Sequence, residues 1–392
     1  MKLSTIFFEE GTERMKGLKQ IDLRQKPLGS IVALAGKNGS GKSRVLELIE
    51  KFAVNLSVRD LLSVDIINVP QMNTNLLQSA ATLKKQFQNA TEERKKNITA
   101  SITPEFINIC KQSIVPYIKK IDFNTLTKIS KLEISSFEKL SQININSTPQ
   151  LNFLLTDKTI EYLQRLSDEL NLDRYNLIIS ENESDELNTK QSYINFEKFK
   201  QYVERFLGKK LSTKAKKIKP GEVFSSVLLI NNHPFIPESF SPGEKILFSY
   251  AILFYLLDIN SSIKLEDCIF ILDEPETHLH PSAQIKVISA IKSIIKKKGQ
   301  LWIATHSLPL LANLEYDEIF LVKDDCLIPP NRYNPGNSIL ELMESEENSF
   351  QLKEFLTSSS EWAYCNFMAQ CFIEPEAHLF AAQNDQQINS FD

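Results

Sequence analysis

The stretch Gly36-Lys37-Asn38-Gly39-Ser40-Gly41-Lys42-Ser43 follows the pattern G-x-x-x-x-G-K-[ST], and its flanks decide the fold. Upstream, Ile31–Ala35 is a short apolar run typical of a buried strand, and downstream, residues 43–49 repeat apolar residues at helical spacing. A strand, a glycine loop and a helix in this order form an anion cradle, because glycines let backbone N–H groups point inward and the helix N-terminus adds partial positive charge. The sequence therefore predicts a phosphate-binding loop.

Two polar side chains of this loop have expected tasks. Lys42 would reach the β- and γ-phosphates of a bound nucleotide, and the Ser43 hydroxyl would ligate Mg²⁺. The alternative, a chance match in an ordinary Gly/Ser loop, is disfavoured by two further motifs. The predicted nucleotide contacts within the loop are Gly36, Asn38, Gly39, Gly41, Lys42 and Ser43.

The second motif is a pair of carboxylates behind an apolar run. Residues 269–272 predict a buried strand, and Asp273 and Glu274 follow at its C-terminal end, where open α/β sheets bind ligands. Side chains alternate along an extended chain, so the two carboxylates point in different directions. We predict Asp273 in the Mg²⁺ shell and Glu274 as the general base. A solvated pair that merely ends a strand is the alternative.

The third motif, Ser241-Pro242-Gly243-Glu244, opens a long apolar helical stretch at residues 246–257. Ser241 suits the N-cap, Pro242 the first helical position, and Glu244 completes a capping box. A cap alone would account for three of the four residues. Gly243, however, leaves a path to the bare N–H groups of the helix terminus, which predicts a second anion site.

Together the motifs resemble those of ATP-binding-cassette (ABC) ATPases, whose signature motif is similar to residues 241–244. Residues 273–281 (Asp-Glu-Pro-Glu-Thr-His-Leu-His-Pro) and 301–307 (Leu-Trp-Ile-Ala-Thr-His-Ser) resemble the Walker B and switch-histidine segments of the RecF/SMC/OLD-like branch. The resemblance covers residues 28–50 and 225–325. It implies an α/β P-loop fold, a mixed sheet with a β-subdomain, and ATP and Mg²⁺ as cofactors. It also implies a homodimer or higher oligomer in which Ser241, Gly243 and Glu244 contact ATP held by the partner subunit.

The same resemblance suggests two further site residues. His306 would sense the γ-phosphate or the attacking water. A glutamine of the family links Mg²⁺ to a helical lobe, and Gln71, after an extended run at residues 64–70, is the candidate, with Gln86 and Gln88 as alternatives.

A pair of histidines, His278 and His280, lies next to Glu276. Such a set could ligate zinc, but no cysteine or further histidine lies near it in sequence. His280-Pro281-Ser282 also fits a helix start, so an interface and capping role is favoured.

Spacing and composition divide the chain into four segments. Residues 1–58 carry the phosphate-binding loop, preceded by edge strands at 3–8 and 21–23. Residues 59–219 are predicted to be a helical insertion lobe, and no sustained heptad repeat supports a coiled-coil arm. Residues 220–328 carry the signature, the Walker B motif and the switch histidine, and residues 329–392 a helical extension. The helical pieces of the insertion are 79–99, 104–121, 137–143, 159–170 and 195–207.

Charge is unevenly spread along a chain whose formal net charge is −4. Residues 59–219 hold 25 Lys+Arg against 19 Asp+Glu, which gives +6, and residues 329–392 hold 2 against 10, which gives −8. Six lysines lie between 209 and 219, without arginine or interleaved aromatic residues. Such a run suits nucleic-acid phosphates or a solvated loop equally.

Composition also bears on location. The apolar runs are well short of the ~20 residues of a membrane helix. The N-terminus turns acidic too early for a secretory signal, and five cysteines lack metal-type spacing. These features predict a cytoplasmic protein without a membrane partner.

Three functions fit these features to different degrees. OLD-like proteins often carry a Toprim nuclease domain, for which the last 64 residues leave no room. We therefore predict a sensor or regulatory ATPase that controls a separate effector, such as a nuclease or toxin, in bacterial antiphage defence. The alternative is a DNA-repair or recombination ATPase that clamps DNA or RNA through the basic insert. A transporter motor is disfavoured by the long insert and by the loop at 276–281.

Overall fold

The structure is a computed structural model that describes residues 1–8, 20–22, 28–36, 39–54, 64–67, 79, 82–83, 85–87, 90–114, 117–121, 157–179, 184–216, 225–261, 263–277, 279–311, 313–323 and 326–328. Several predictions fall outside these residues: the roles of Asn38, Gln71, Gln88 and His278, the helix at 137–143, and the extension at 329–392.

Between residues 242 and 323 the described α-helices and strands alternate along the chain, as expected for an α/β protein. In order, the described α-helices and strands of the whole chain are β1 Lys2–Phe8, β2 Gln20–Asp22, β3 Ile31–Ala35, α1 Lys42–Val54, β4 Val64–Ile67, α2 Glu92–Ser101, α3 Pro104–Ile114, β5 Ile118–Ile121, α4 Asp157–Ile179, α5 Gln191–Leu207, β6 Leu211–Ala215, β7 Ser226–Ile230, β8 His233–Pro234, α6 Pro242–Asn260, β9 Ile269–Asp273, α7 Pro281–Ile295, β10 Gln300–Thr305, α8 Leu308–Leu311, β11 Ile319–Lys323 and β12 Cys326–Ile328.

The chain divides into two compact units. The first holds Met1–Lys119, Ile269–Glu274 and the described residues from Lys297 onward; the second holds the described residues of Lys120–Cys268 and Pro275–Lys296. These boundaries differ from the linear segments inferred from sequence, because β9 belongs to the first unit although it lies between α6 and α7 in the chain.

A mixed sheet of nine described strands organises the first unit, in the order β4-β1-β2-β12-β11-β3-β10-β9-β5. At its centre β3 pairs in parallel with both β10 and β11, and β10 pairs in parallel with β9. The strands β1 and β2 lie inside the sheet and not at its edge as predicted: β1 pairs antiparallel with β2 and β4, and β2 pairs in parallel with β12. Every residue of β3 and β10 is buried, as expected for parallel strands covered on both faces. The carboxyl ends of β3 and β9 therefore lie at the same edge of the sheet.

A buried glutamine ties the N-terminal strand to this centre. The amide of Gln300 donates to the carbonyl oxygens of Leu3 (3.0 Å) and Gly29 (2.9 Å). Its Oε1 accepts from Leu3 N and from Trp302 Nε1, both at 3.0 Å. Because all four hydrogen-bonding positions are used, a fully buried amide is stabilising here rather than costly.

The second unit has a helical core with a small antiparallel sheet, β6-β7-β8. Helices α5 and α6 pack through aromatic side chains: Phe206 lies 5.8 Å from Tyr250 and 5.2 Å from Phe254, and Phe199 lies 5.3 Å from Tyr255. Nearly every residue of α6 between Ile246 and Leu256 is buried, so this helix is apolar on all sides.

The described part of residues 59–219 contains strands as well as helices. These strands are β4, β5 and β6. The helix predicted at 104–121 ends at Ile114, and residues 118–121 form β5 instead. Pro116 is the physical reason, since proline disfavours helical backbone at the residue before it. No described helix is long and apolar enough to cross a bilayer.

Candidate functional site

The glycine loop after β3 is built by close backbone approach. A side chain at Gly36 would place its Cβ 2.5 Å from Ser40 Oγ and 2.7 Å from the Val322 carbonyl oxygen, so only glycine fits. Gly39 and Gly41 have φ values of +80° and +103°, which side chains rarely allow. Glycine is therefore favoured at all three positions.

Lys42 is held inside this loop. Its side chain is only 5% exposed, and its Nζ donates to the Gly36 carbonyl oxygen at 2.8 Å. Ser40 Oγ is buried there and has no hydrogen-bond partner among the described residues. A buried ammonium, the Ser40 hydroxyl and a helix N-terminus fit a bound phosphate chain, which would supply an acceptor for that hydroxyl and negative charge for the ammonium.

The two predicted metal ligands are brought together across the sheet. Ser43, at the start of α1, donates its hydroxyl to Oδ1 of Asp273, the last residue of β9, at 3.0 Å. Hydroxyl and carboxylate oxygens are hard ligands that suit Mg²⁺ beside phosphate groups. The pair therefore fits the predicted Mg²⁺ position.

Glu274 leaves the strand in an unusual backbone conformation. Its φ is +47°, in the left-handed region that a glutamate rarely adopts, and its N–H donates to the Ala304 carbonyl oxygen at 2.9 Å. Backbone strain of this kind concentrates at functional sites. Sequence reasoning anticipated that Asp273 and Glu274 diverge, but not this conformation.

His306 lies next to Glu274. It follows β10, and its Nδ1 is 3.9 Å from Glu274 Oε1, with both side chains about half exposed. The two carboxylates thus have different neighbours: Asp273 faces a helix hydroxyl, and Glu274 faces an imidazole. This arrangement suits Asp273 for metal binding and Glu274 for proton transfer.

The signature segment belongs to the second unit and is capped as predicted. Ser241 Oγ accepts from Glu244 N at 3.3 Å, and Glu244 Oε2 accepts from Ser241 N at 3.0 Å and from Ser241 Oγ at 3.1 Å. Pro242 occupies the first turn of α6. A Cβ at Gly243 would meet nothing within 4 Å, so the approach to these helix-terminal N–H groups is open.

A lysine of the basic run supports this cap, which sequence reasoning missed. Lys209 Nζ lies 2.6 Å from Glu244 Oε1 and 5.0 Å from the centroid of the Phe240 ring. The hydrogen bond from Lys209, followed by the bonds from Ser241, lowers the pKa of Glu244 below its usual value. Glu244 is therefore turned toward its own chain.

The histidine at the start of α7 has the capping role favoured from the sequence. His280 Nδ1 accepts from Ser282 N at 3.4 Å and lies 3.0 Å from Ser282 Oγ. Pro281 begins the helix, and the helix ends at a left-handed Lys296. Gln86, the described alternative to Gln71, is helical and exposed.

A protein-family model matches residues 31–313, from β3 to beyond β10. Its description is "AAA domain, putative AbiEii toxin, Type IV TA system". The chain belongs to this family. The match includes the glycine loop, the signature segment, the carboxylate pair and His306.

The sheet confirms the predicted fold. The chain is a P-loop α/β protein, and its family is described as an AAA domain family. The tasks of individual site residues, including Mg²⁺ binding, stay predictions.

Three solved structures are similar to this chain. An SMC head bound to the C-winged helix domain of ScpA is 13% identical, with 84% of this chain and 96% of that chain covered and a TM-score of 0.41. An SMC head with an extended coiled coil, bound to the C-terminal domain of ScpA from Pyrococcus furiosus, is 15% identical over 83% and 95%, with a TM-score of 0.36. A dimeric ATP-binding cassette bound to ADP and Pi is 14% identical over 83% and 95%, with a TM-score of 0.29. These scores are low, so the family assignment depends on the sequence match. No curated protein matches the chain.

Proposed function

We propose that this protein is an ATP-driven switch that dimerises around ATP, hydrolyses it, and thereby controls a separate effector protein in a bacterial defence or toxin–antitoxin system. The family assignment supports the ATPase part. The observation that carries the proposal is the division of the motifs between the two units. The phosphate loop and the carboxylates lie in one unit, and the open helix terminus at Gly243 lies in the other.

In the proposed reaction, the loop holds the phosphates and two acidic groups divide the chemistry. Ser43 and Asp273 would hold Mg²⁺, which would neutralise charge on the β- and γ-phosphates. Glu274 would accept a proton from the attacking water. The water oxygen would bond to the γ-phosphorus as the bond between the γ-phosphorus and the leaving ADP oxygen breaks. His306, 3.9 Å from that carboxylate, would hold the water or the γ-phosphate by hydrogen bonding.

The dimer part is supported by Gly243. Glycine in the first turn of a helix is less stable than alanine, and no atom of the described chain within 4 Å requires it here. Glycine would be required here if another molecule came close to this turn of the helix. In the proposed dimer, that molecule is the phosphate chain bound to a second copy of the protein. The cap formed by Ser241 accepts the N–H of Glu244 at the start of the helix.

Mixing two inactive variants tests the shared site. Lys42→Ala keeps the signature segment, and Ser241→Arg keeps the phosphate loop. If each site combines both subunits, a mixture of the two variants regains turnover that neither shows alone. A mixture as inactive as its components would contradict the shared site.

The proposal of a separate effector is supported by an exposed apolar surface on α4. Leu172, Tyr175, Ile178 and Ile179 are 44–76% exposed on its last turns, although the same helix buries its opposite face. Such patches mark protein interaction sites. The family description names a toxin–antitoxin system, which pairs two proteins.

Expression in a bacterial host separates a regulator from a toxin. A regulator expressed alone should leave growth unchanged. Co-expression with its genomic neighbours should yield a complex whose amount or composition changes with Lys42→Ala. Growth arrest by this chain alone, abolished by Lys42→Ala, would make it the toxic component and contradict the regulatory role.

Direct DNA binding is the second candidate, because three lysines of the basic run are available. Lys210, Lys214 and Lys216 are exposed, whereas Lys209 is paired with Glu244. A DNA clamp predicts DNA-stimulated turnover that is lost in Lys214→Glu/Lys216→Glu but kept in Lys286→Glu, an exposed lysine of α7. Equal turnover with and without DNA would exclude this function.

A further inference from the structure

The signature cap has an ionic support that comes from a different part of the second unit. Lys209 follows Gly208, which closes α5 with a left-handed backbone (φ +70°). That turn brings the ammonium of Lys209 to Glu244 in the first turn of α6. The ring of Phe240 lies beneath it at 5.0 Å, which adds a cation–π contact. Lys209 is thus held from two sides.

Glu244 passes this constraint on to Ser241. Its Oε1 is bound by Lys209, so its Oε2 is left to hold both the N–H and the hydroxyl of Ser241. The Ser241 hydroxyl has one proton, which it donates to Glu244. To bind a phosphate with that proton, the hydroxyl must release the carboxylate. Glu244 then keeps its negative charge close to the bound anion.

Like charges at that range oppose binding unless one is neutralised. Ser241 Oγ is 3.1 Å from the carboxylate, so a phosphate on the same hydroxyl lies about two hydrogen-bond lengths, ~6 Å, from it. A direct ion pair with Lys209 cancels this repulsion. The lysine is the paired cation of Glu244 in the described part of the second unit.

We propose that Lys209 is a positioning residue for ATP-driven dimerisation: it fixes the Glu244 carboxylate against Ser241 and neutralises its charge as the phosphates approach α6. This inference rests on the proposed ATP-sandwiched dimer. It separates Lys209 from Lys210, Lys214 and Lys216 of the same run, which are exposed. Lys209 acts through Glu244 and does not itself touch the nucleotide.

The test uses the full chain with Glu274→Gln, a background expected to hold the dimer. Lys209→Met keeps the aliphatic stem and removes the charge, and Lys210→Met is the matched control on the next, exposed residue. We expect Lys209→Met to raise the ATP concentration for half-maximal dimerisation about fivefold, as for an ion pair whose side chains are about one-third exposed. Lys209→Arg should restore it. Binding of a fluorescent ATP analogue to the monomer should be unchanged, which checks folding.

Two further readouts distinguish charge neutralisation from simple structural support. Glu244→Gln combined with Lys209→Met should recover most of the lost dimerisation, because glutamine still completes the capping box and carries no charge. High salt should also reduce the difference between Lys209→Met and its parent in the ATP concentration for half-maximal dimerisation. A double variant as weak as Lys209→Met alone, together with a gap independent of salt, would overturn the proposal.

The outcomes separate the two proposals. If Glu274→Gln binds ATP but forms no dimer, the ATP-sandwiched dimer is wrong, and the role of Lys209 is wrong with it. If the dimer forms and Lys209→Met behaves like Lys210→Met, only the inference about Lys209 is overturned.

Discussion

Replacing Gly243 by alanine should stabilise the isolated chain and at the same time impair its ATP-dependent assembly. The added Cβ would meet no atom within 4 Å, and the φ of Gly243 is not positive, so the folded chain accepts alanine without strain. Alanine restricts the unfolded chain and is the better helix former, which is worth about 0.4–1 kcal/mol. The melting temperature without nucleotide should therefore rise by about 0.5–1 °C.

The effect on assembly should have the opposite sign. If phosphates reach the helix terminus over Gly243, the extra methyl group must overpack that contact at a cost of about 1–3 kcal/mol. This corresponds to an ATP concentration for dimerisation that is higher by a factor of about 5 to 150. Light scattering in the Glu274→Gln background measures it, and steady-state turnover in the parent chain should fall in parallel.

Gly29→Ala is the matched control, since its Cβ would lie 3.7 Å from the Ile31 carbonyl oxygen, an ordinary contact at the opposite end of β3. It should leave assembly and turnover unchanged. Dimerisation of Gly243→Ala at the parent's ATP concentration would refute the close approach at α6. A lower melting temperature would refute the open space around Gly243.

Three further predictions concern the first unit. Gly36→Ala should lower the free energy of unfolding by about 1–3 kcal/mol and abolish ATP binding, because its Cβ collides with backbone; calorimetry and nucleotide titration measure both, and an unchanged ATP affinity would contradict the tight loop. Wild-type chain should gain ~2.7 kcal/mol of stability at an ATP concentration of 100 times Kd, and Lys42→Ala none; an equal thermal shift in both would remove Lys42 from the binding site. Burial raises the pKa of Cys110 to about 11, so its thiol is protonated at pH 8 and should resist alkylation, while half-buried Cys326 reacts. Peptide mapping by mass spectrometry detects the difference. Equal labelling of the two cysteines would contradict the burial of Cys110.

Local signals were sufficient to predict the pieces of the site. The apolar run before Gly36 and the helix after Ser43 are β3 and α1, and the cap at Ser241 forms as its residues predict. These features depend on neighbours within a few residues, through glycine freedom and capping hydrogen bonds. That proximity is why the sequence reveals them.

Features that join distant residues could not be predicted in the same way. The central sheet pairs Ile31 with Leu301, and no local pattern specifies which parallel strands become neighbours. The pairing of Lys209 with Glu244 is another long-range contact, and the lysine run suggested only a nucleic-acid surface or a solvated loop. The left-handed backbone of Glu274 is also invisible in sequence, since glutamate has no preference for it.

One missed element did have a local signal. Pro116 marks the end of helical backbone between α3 and β5, but the apolar spacing over residues 104–121 was interpreted as one helix. Proline sterically excludes helical backbone at the preceding residue, whereas apolar periodicity indicates only which face of an element is buried. Proline is therefore the stronger signal for where a helix ends.

The most direct test of the central claim is native mass spectrometry of Glu274→Gln with and without Mg-ATP. Loss of the general base should leave the Ser43–Asp273 pair intact. The account predicts a monomer without nucleotide and a dimer carrying two ATP molecules when Mg-ATP is added. A monomer that binds ATP and never dimerises, or a dimer whose formation ignores ATP, would contradict it.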